Sequence, residues 1–235
     1  MRNFASNKTE RMKYGIIVAM QVELDMLLRE MADTTTETIN GITYHKGHIG
    51  RNEVTATQCG IGKVNAAVGA LTLIENYRPD AIVNTGIAGG TGADAGILDV
   101  VIGSEVAYHD VWCGPGNARG QVQGLPERFA GSTNSFNIAA VLNNPKVKTG
   151  LIASGDMFVS TPDDLARVLA TQPEAIAVDM ESGAIAQVCH LKGVPFLAIR
   201  VVSDTPGVEN HLDQYGDFWS LAPQSTFGIL RKILD

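Results

Sequence analysis

No stretch of this 235-residue chain approaches the roughly 18 consecutive apolar residues that a membrane-spanning helix needs, so no transmembrane segment is predicted. Cysteine is scarce: Cys59, Cys113 and Cys189 lie far apart, with no C-x-x-C pair and no even count on which to build a disulfide framework. That usage predicts a reducing, cytoplasmic setting. Basic charge is in deficit, with 18 Lys and Arg against 25 Asp and Glu and a net charge of -7. This leaves no positive footprint for nucleic acid or an anionic membrane, and a small molecule is the expected partner. The opening MRNFASNKTER has no apolar centre of the kind a secretory signal carries, and residues 1–11 read as a disordered extension ahead of a fold spanning 12–235. Neither a linker nor an internal repeat interrupts the chain, and its 45% hydrophobic content suits one domain with a large core.

Complete cofactor motifs are missing as well. The five histidines, His45, His48, His109, His190 and His211, show no zinc-ligand spacing. In CGIGKVNAA (59–67) Asn65 takes the third glycine position of the dinucleotide fingerprint, and Val64 follows Lys63 where a phosphate-binding loop needs Ser or Thr. No metal and no cofactor is expected.

What is present is an alternation of glycine-bounded apolar runs with amphipathic stretches, the pattern of an α/β domain whose buried strands read as continuous hydrophobic segments. Strands are predicted at 14–20, across GITYHKGHIG and EVTATQCG as a pair, and at 80–86, 98–108, 148–154, 175–178 and 195–202. Helices are predicted at 22–31, 63–77, near 163–170, after Glu181 and from about Tyr215 onward, and 112–132 reads as a long loop. Polar clusters follow the strands, where open α/β sheets place their ligands: AMQVE (19–23), TGIAGG (85–90), SGDMF (154–158), DMES (179–182) and RVVSD (200–204).

Each cluster has an ordinary structural explanation. Glu23 suits the first turn of a helix. Asp179 or Ser182 could cap the next helix, with Glu181 lying against its positive end. Asp204 precedes TPG, a strong turn signal. Arg200 is harder to explain this way, because it interrupts the buried strand FLAIRVV and a buried guanidinium needs a carboxylate or an anionic ligand. Glu23, Glu181 and Asp204 are the available partners.

Taken in order, GIIVAMQVE, CGIGKVNAA, NTGIAGG, YHD, SGDMF, VDMESGAIAQVCH and PFLAIRVVSD make the chain from Met12 onward closely resemble the 5'-methylthioadenosine/S-adenosylhomocysteine nucleosidases of the purine nucleoside phosphorylase superfamily. The resemblance implies a mixed α/β sheet wrapped by helices, a homodimer, and hydrolysis of an N-ribosidic bond that releases adenine. It implies that Glu23 activates water with help from Arg200, that Glu181 binds the ribose hydroxyls, and that Met180 packs on the ribose. By the same resemblance Asp204, oriented by Ser203, supplies a proton toward adenine N7. Phe158 stacks on the base and the main chain of Val159 bonds its edge, while Ile87, Ala88, Gly89 and Tyr215 complete the substrate-binding set.

The residue types suit that chemistry. The departing purine takes negative charge and the sugar positive charge, so one carboxyl must act as acid and another as base, and Asp204 is expected to keep its proton near neutral pH. A phosphorylase would need cations where AMQVE offers Glu23. Action on another purine nucleoside, such as futalosine, AMP or adenosine, and a non-catalytic nucleoside-binding role stand as alternatives. Two departures stand out: Ile87 sits where many relatives have a small hydroxyl residue near the water and the ribose, which bears on water positioning, and the loop VWCGPGNARGQVQG (111–124) near the 5' pocket is not the version expected after YHD, which bears on preference between methylthio and homocysteinyl substrates.

Overall fold

The computed structural model describes residues 11–92, 94–206, 208, 213, 214, 216, 218 and 223–234. Tyr215 and, apart from Arg11, the expected N-terminal extension therefore lie outside the described residues. In chain order the elements are β1 (Lys13–Val18), α1 (Gln21–Glu30), β2 (Ala32–Ile39), β3 (Ile42–Ile49), β4 (Asn52–Gln58), α2 (Lys63–Tyr77), β5 (Ala81–Gly90), β6 (Val100–Tyr108), β7 (Phe129–Ala130), β8 (Val147–Ser154), α3 (Pro162–Thr171), β9 (Ala175–Asp179), α4 (Ser182–Lys192), β10 (Phe196–Asp204) and α5 (Pro223–Leu234).

The strands make one 10-stranded mixed sheet, and part of it closes on itself. β5 runs parallel to β10, β10 antiparallel to β6, β6 parallel to β8, β8 parallel to β9, and β9 returns antiparallel to the glycine end of β5. From the edge of β5 away from β10 the sheet continues through β1, parallel to both β5 and β4, and then from β4 through β3 and β2, each antiparallel to the strand before it.

Strands buried on both faces account for the unbroken apolar runs. Ile16 and Val18 face the cluster that contains Leu24 and Leu27 of α1 and Ile233 of α5. Ile17, between them, packs with Ala66 and Leu73 of α2 and Ile185 of α4. Each such side chain contributes about 1.5–3 kcal/mol by leaving water.

β5 changes neighbours along its length, and that change opens the site. Residues Tyr14–Ile17 of β1 pair with Ala81–Asn84, whereas β9 pairs only with Gly89 and Gly90. Between the two pairings, residues 85–88 turn an edge without a strand toward the space at the end of β1.

Three expectations need correction. TGIAGG does not follow its strand; it is the second half of β5. Likewise Ser203 and Asp204 belong to β10. β2 went unpredicted because ADTTTETI is exposed along most of its length and carries no apolar alternation.

Candidate active site

Glu23 sits in the first turn of α1 and is buried. Its Oε2 accepts the N–H groups of Ala19 and Met20, both at 2.9 Å, which is the helix-start role available to any acidic residue there. Its Oε1 leaves the helix and accepts the N–H of Ile87 at 3.0 Å, on the open edge of β5. Burial raises the pKa of this carboxyl; the Arg200 charge and the three N–H groups only partly offset that.

Arg200 is fully buried at the centre of β10. The expected partners were Glu23, Glu181 and Asp204; the short contacts go instead to Asp179 and Asn84. Asp179 Oδ2 accepts from Nε at 2.7 Å and lies 2.6 Å from Nη2, and Asn84 Oδ1 also accepts from Nη2. Glu181 Oε2 is 3.6 Å from Nη2. The third guanidinium nitrogen, Nη1, approaches Gly86 of β5. A Cβ at Gly86 would lie 2.6 Å from Nη1 and 2.5 Å from Glu23 Oε1, so only glycine lets the two groups meet across this strand.

The carboxylates of DMES divide the labour between them. Asp179 holds the start of α4, accepting the Ser182 Oγ–H at 2.9 Å and the Ser182 N–H at 3.3 Å. Glu181 makes no side-chain cap to its own helix. Its Oε1 accepts the Gly62 N–H at 3.0 Å, at the start of α2. Burial pushes the Glu181 carboxyl up to about 7, against the lowering effect of Arg200.

That contact gives CGIGKVNAA a purpose unrelated to nucleotide phosphates. Gly60 and Gly62 have φ of 91° and 93°, which side-chain-bearing residues rarely adopt. The turn they make aims N–H groups of the α2 start outward. Glu181 takes the N–H of Gly62, and Asp156 Oδ1 takes that of Lys63 at 2.7 Å. Lys63 Nζ lies 2.8 Å from Asp110 Oδ2, which also accepts the Asp156 N–H at 2.8 Å. This latch fixes the segment leading to Phe158.

At the end of β10 the register with β5 shifts between Val202 and Asp204. In a regular strand neighbouring side chains point to opposite faces. The irregularity lets Ser203 and Asp204 both line the cleft, and Ser203 Oγ donates to Asp204 Oδ1 at 2.5 Å.

The cleft has a volume of about 620 Å³ including its mouth. Glu23, Glu181, Asp204, Ser203, Met180, Phe158, Val159, Ile87, Ala88 and Gly89 all line it, together with Ile61, Met157 and Pro206. Of the residues proposed from sequence, Arg200 stands behind the wall and Tyr215 lies outside the described residues. Sequence reasoning missed Asp179 as the partner of Arg200, and it missed Asn84 and the Gly62 N–H. Asn84 did leave a signal, as a lone amide inside the apolar run DAIVNTG.

Residues 13–235 match the model of the phosphorylase superfamily. The 5'-methylthioadenosine/S-adenosylhomocysteine nucleosidase of Chromohalobacter salexigens is 42% identical over 85% of this chain and 87% of its own length. The structure of the corresponding nucleosidase of Streptococcus pneumoniae with a transition-state inhibitor superposes with a TM-score of 0.88 at 35% identity, covering 95% of this chain and 98% of that one. A futalosine hydrolase of Helicobacter pylori superposes with a TM-score of 0.84 at 25% identity, over 94% and 96% of the two chains. Extent, identity and fold agree: this chain belongs to the 5'-methylthioadenosine/S-adenosylhomocysteine nucleosidase family of the phosphorylase superfamily.

Proposed function

We propose that this chain is a purine nucleosidase that hydrolyses the N-ribosidic bond of 5'-methylthioadenosine and S-adenosylhomocysteine, releasing adenine and the 5'-thio-substituted ribose. The observation that carries the reading is that Glu23, Glu181 and Asp204 open onto one cleft, with the Arg200 guanidinium behind it. A non-catalytic binder would have little reason to hold so many carboxylates away from water, because each burial costs stability.

In this mechanism Asp204 gives its proton to the departing purine, and the Ser203 hydroxyl orients it. Glu23 takes a proton from the attacking water; its raised pKa makes it the stronger base, and its N–H contacts fix where it stands. Glu181 holds the ribose hydroxyls, and its charge, with that of Glu23, favours the cationic sugar of the transition state. Phe158 stacks on adenine above the Val159 main chain, Met180 covers the ribose, and Ile87, Ala88 and Gly89 form the wall along β5.

Water is favoured over phosphate because no lysine or arginine lines the cleft among the described residues, and Arg200 is already paired. AMP is disfavoured for the same reason. Futalosine is retained as a second substrate candidate by the likeness to the Helicobacter pylori hydrolase. The free thiols at Cys59, Cys113 and Cys189 support a cytoplasmic setting.

A homodimer also belongs to this reading. Ile61, Val64 and Val68 are exposed at and just beyond the α2 start, and Trp112 and Phe158 are exposed nearby. The Lys63–Asp110 pair joins α2 to the end of β6, which brings these side chains together beside the cleft mouth. A second subunit over this face would complete the 5' side of the pocket.

The test is adenine release from methylthioadenosine, S-adenosylhomocysteine, adenosine, AMP and futalosine, with and without phosphate. Free methylthioribose formed at the same rate in both conditions is expected. Strict phosphate dependence with a ribose 1-phosphate product would overturn the reading.

A further inference from the structure

We infer that Asp179 is a positioning residue for the reaction: it acts as the permanent counterion of Arg200, aims the guanidinium edge at Glu23, and leaves Glu181 free for the substrate. The inference rests on the nucleosidase reading above and goes beyond it, because an acidic residue at a helix start would otherwise be a cap and nothing more.

The geometry separates the two roles of this carboxylate. Oδ1 serves the helix, accepting the Ser182 hydroxyl at 2.9 Å. Oδ2 chiefly serves Arg200, with Nε at 2.7 Å and Nη2 at 2.6 Å, and only shares the longer Ser182 N–H contact with Oδ1, both at 3.3 Å. A cap needs only an acceptor, which Ser or Asn supplies as well. A guanidinium with no solvent exposure needs an ionised partner. With Nε and Nη2 engaged by Asp179 and Asn84, Nη1 is the nitrogen left to face Gly86 and Glu23.

Glu181 lies 3.6 Å from Nη2, close enough to take over if Asp179 lost its charge. Arg200 would then pair with Glu181, drawing it away from the Gly62 N–H and from the ribose. Both Glu181 and Glu23 would feel the cation more strongly and would ionise at lower pH.

Other titratable groups face this pair. Cys59 follows β4 and Tyr108 ends β6, and both are pushed upward by burial, so they stay neutral through the acid range. His109, next after Tyr108, is held below its usual value by burial and feels the Asp179 charge, so it adds a titration of its own. Comparing the variants in a His109→Gln background removes it.

The experiment is a pH profile of kcat/KM for adenine release by wild type, Asp179→Asn, Asp179→Glu and Gly193→Ala. The last variant weakens α4 from its far end, where Gly193 has φ of 66°, without changing any charge near the site. Asp179→Asn is expected to lose ~10- to 100-fold in kcat, and its acid limb should move down by roughly one pH unit, the lower end for loss of a neighbouring charge. Asp179→Glu is expected to keep the wild-type limb with reduced kcat, and it supplies the test even if the asparagine variant folds poorly. Gly193→Ala is expected to melt earlier with unchanged kinetics. If Asp179→Asn merely melts earlier, like Gly193→Ala, with kcat and limb unchanged, or if Asp179→Glu shifts the limb downward, the positioning role is overturned while the nucleosidase reading stands. A wild-type enzyme that releases no adenine would overturn both.

Discussion

At Glu23 one oxygen accepts the N–H groups that open α1 while the other reaches Ile87 on β5, so the base is placed before any substrate arrives. Replacing it by glutamine preserves shape and most hydrogen bonds but removes the proton acceptor. Glu23→Gln and Asp204→Asn are each expected to lower turnover by ~10²–10⁴, with an adenine-bearing inhibitor still bound by the Asp204 variant in calorimetry. Near-native turnover would remove the assigned role. Glu181 allows a test through stability. Its carboxyl ionises at 4.5 in the unfolded chain and at about 7 when buried, so the folded state binds the proton more tightly. The resulting stabilisation is fully present below pH 4.5 and is lost as pH rises toward 7. Ligand-free wild type should therefore lose more melting temperature between pH 5 and 7 than Glu181→Gln does; parallel melting curves would contradict the shift.

Among the elements, α4 has both ends visible: Asp179 and Ser182 at its start, and at its close Gly193 in the left-handed region. Gly193→Ala is expected to cost about 1–2 kcal/mol, read as a lower urea midpoint with activity retained. The elements legible in the sequence are those whose burial is two-sided. β1, β6 and β10 are runs of apolar residues because both of their faces are buried, and α2 matched its predicted span of residues 63–77. β2 was illegible because an exposed edge strand needs no apolar pattern. In the site, Glu23, Glu181 and Asp204 could be read as acidic residues near strand ends, but the Asp179–Arg200–Asn84 contact could not. Those three residues come from β9, β10 and β5, and only the closing of the sheet brings them together. The irregularity at Ser203 escaped for a related reason, since it is defined by pairing with β5 and leaves no mark in composition.

For the whole molecule, the exposed apolar face at Ile61, Val64 and Val68 makes assembly testable. Val68→Glu places a charge there without touching the cleft lining. It is expected to shift sedimentation from dimer to monomer and to lower turnover with it; a wild-type monomer with full activity at micromolar concentration would contradict the assembly. The circuit β5–β10–β6–β8–β9 carries a different consequence. Within the closed circuit β5 and β10 pair with each other along most of their length, and on the stretch of β5 that lacks a second strand Glu23 accepts the Ile87 N–H; these two strands hold the Ile87 anchor, Arg200 and Asp204. Their amide hydrogens should exchange with deuterium only through global unfolding, hours after those of the edge strand β2, even with no nucleoside bound. The catalytic groups would then share the slowest-breathing unit of the protein, and tolerance to heat or denaturant would end for activity and for the fold in a single event.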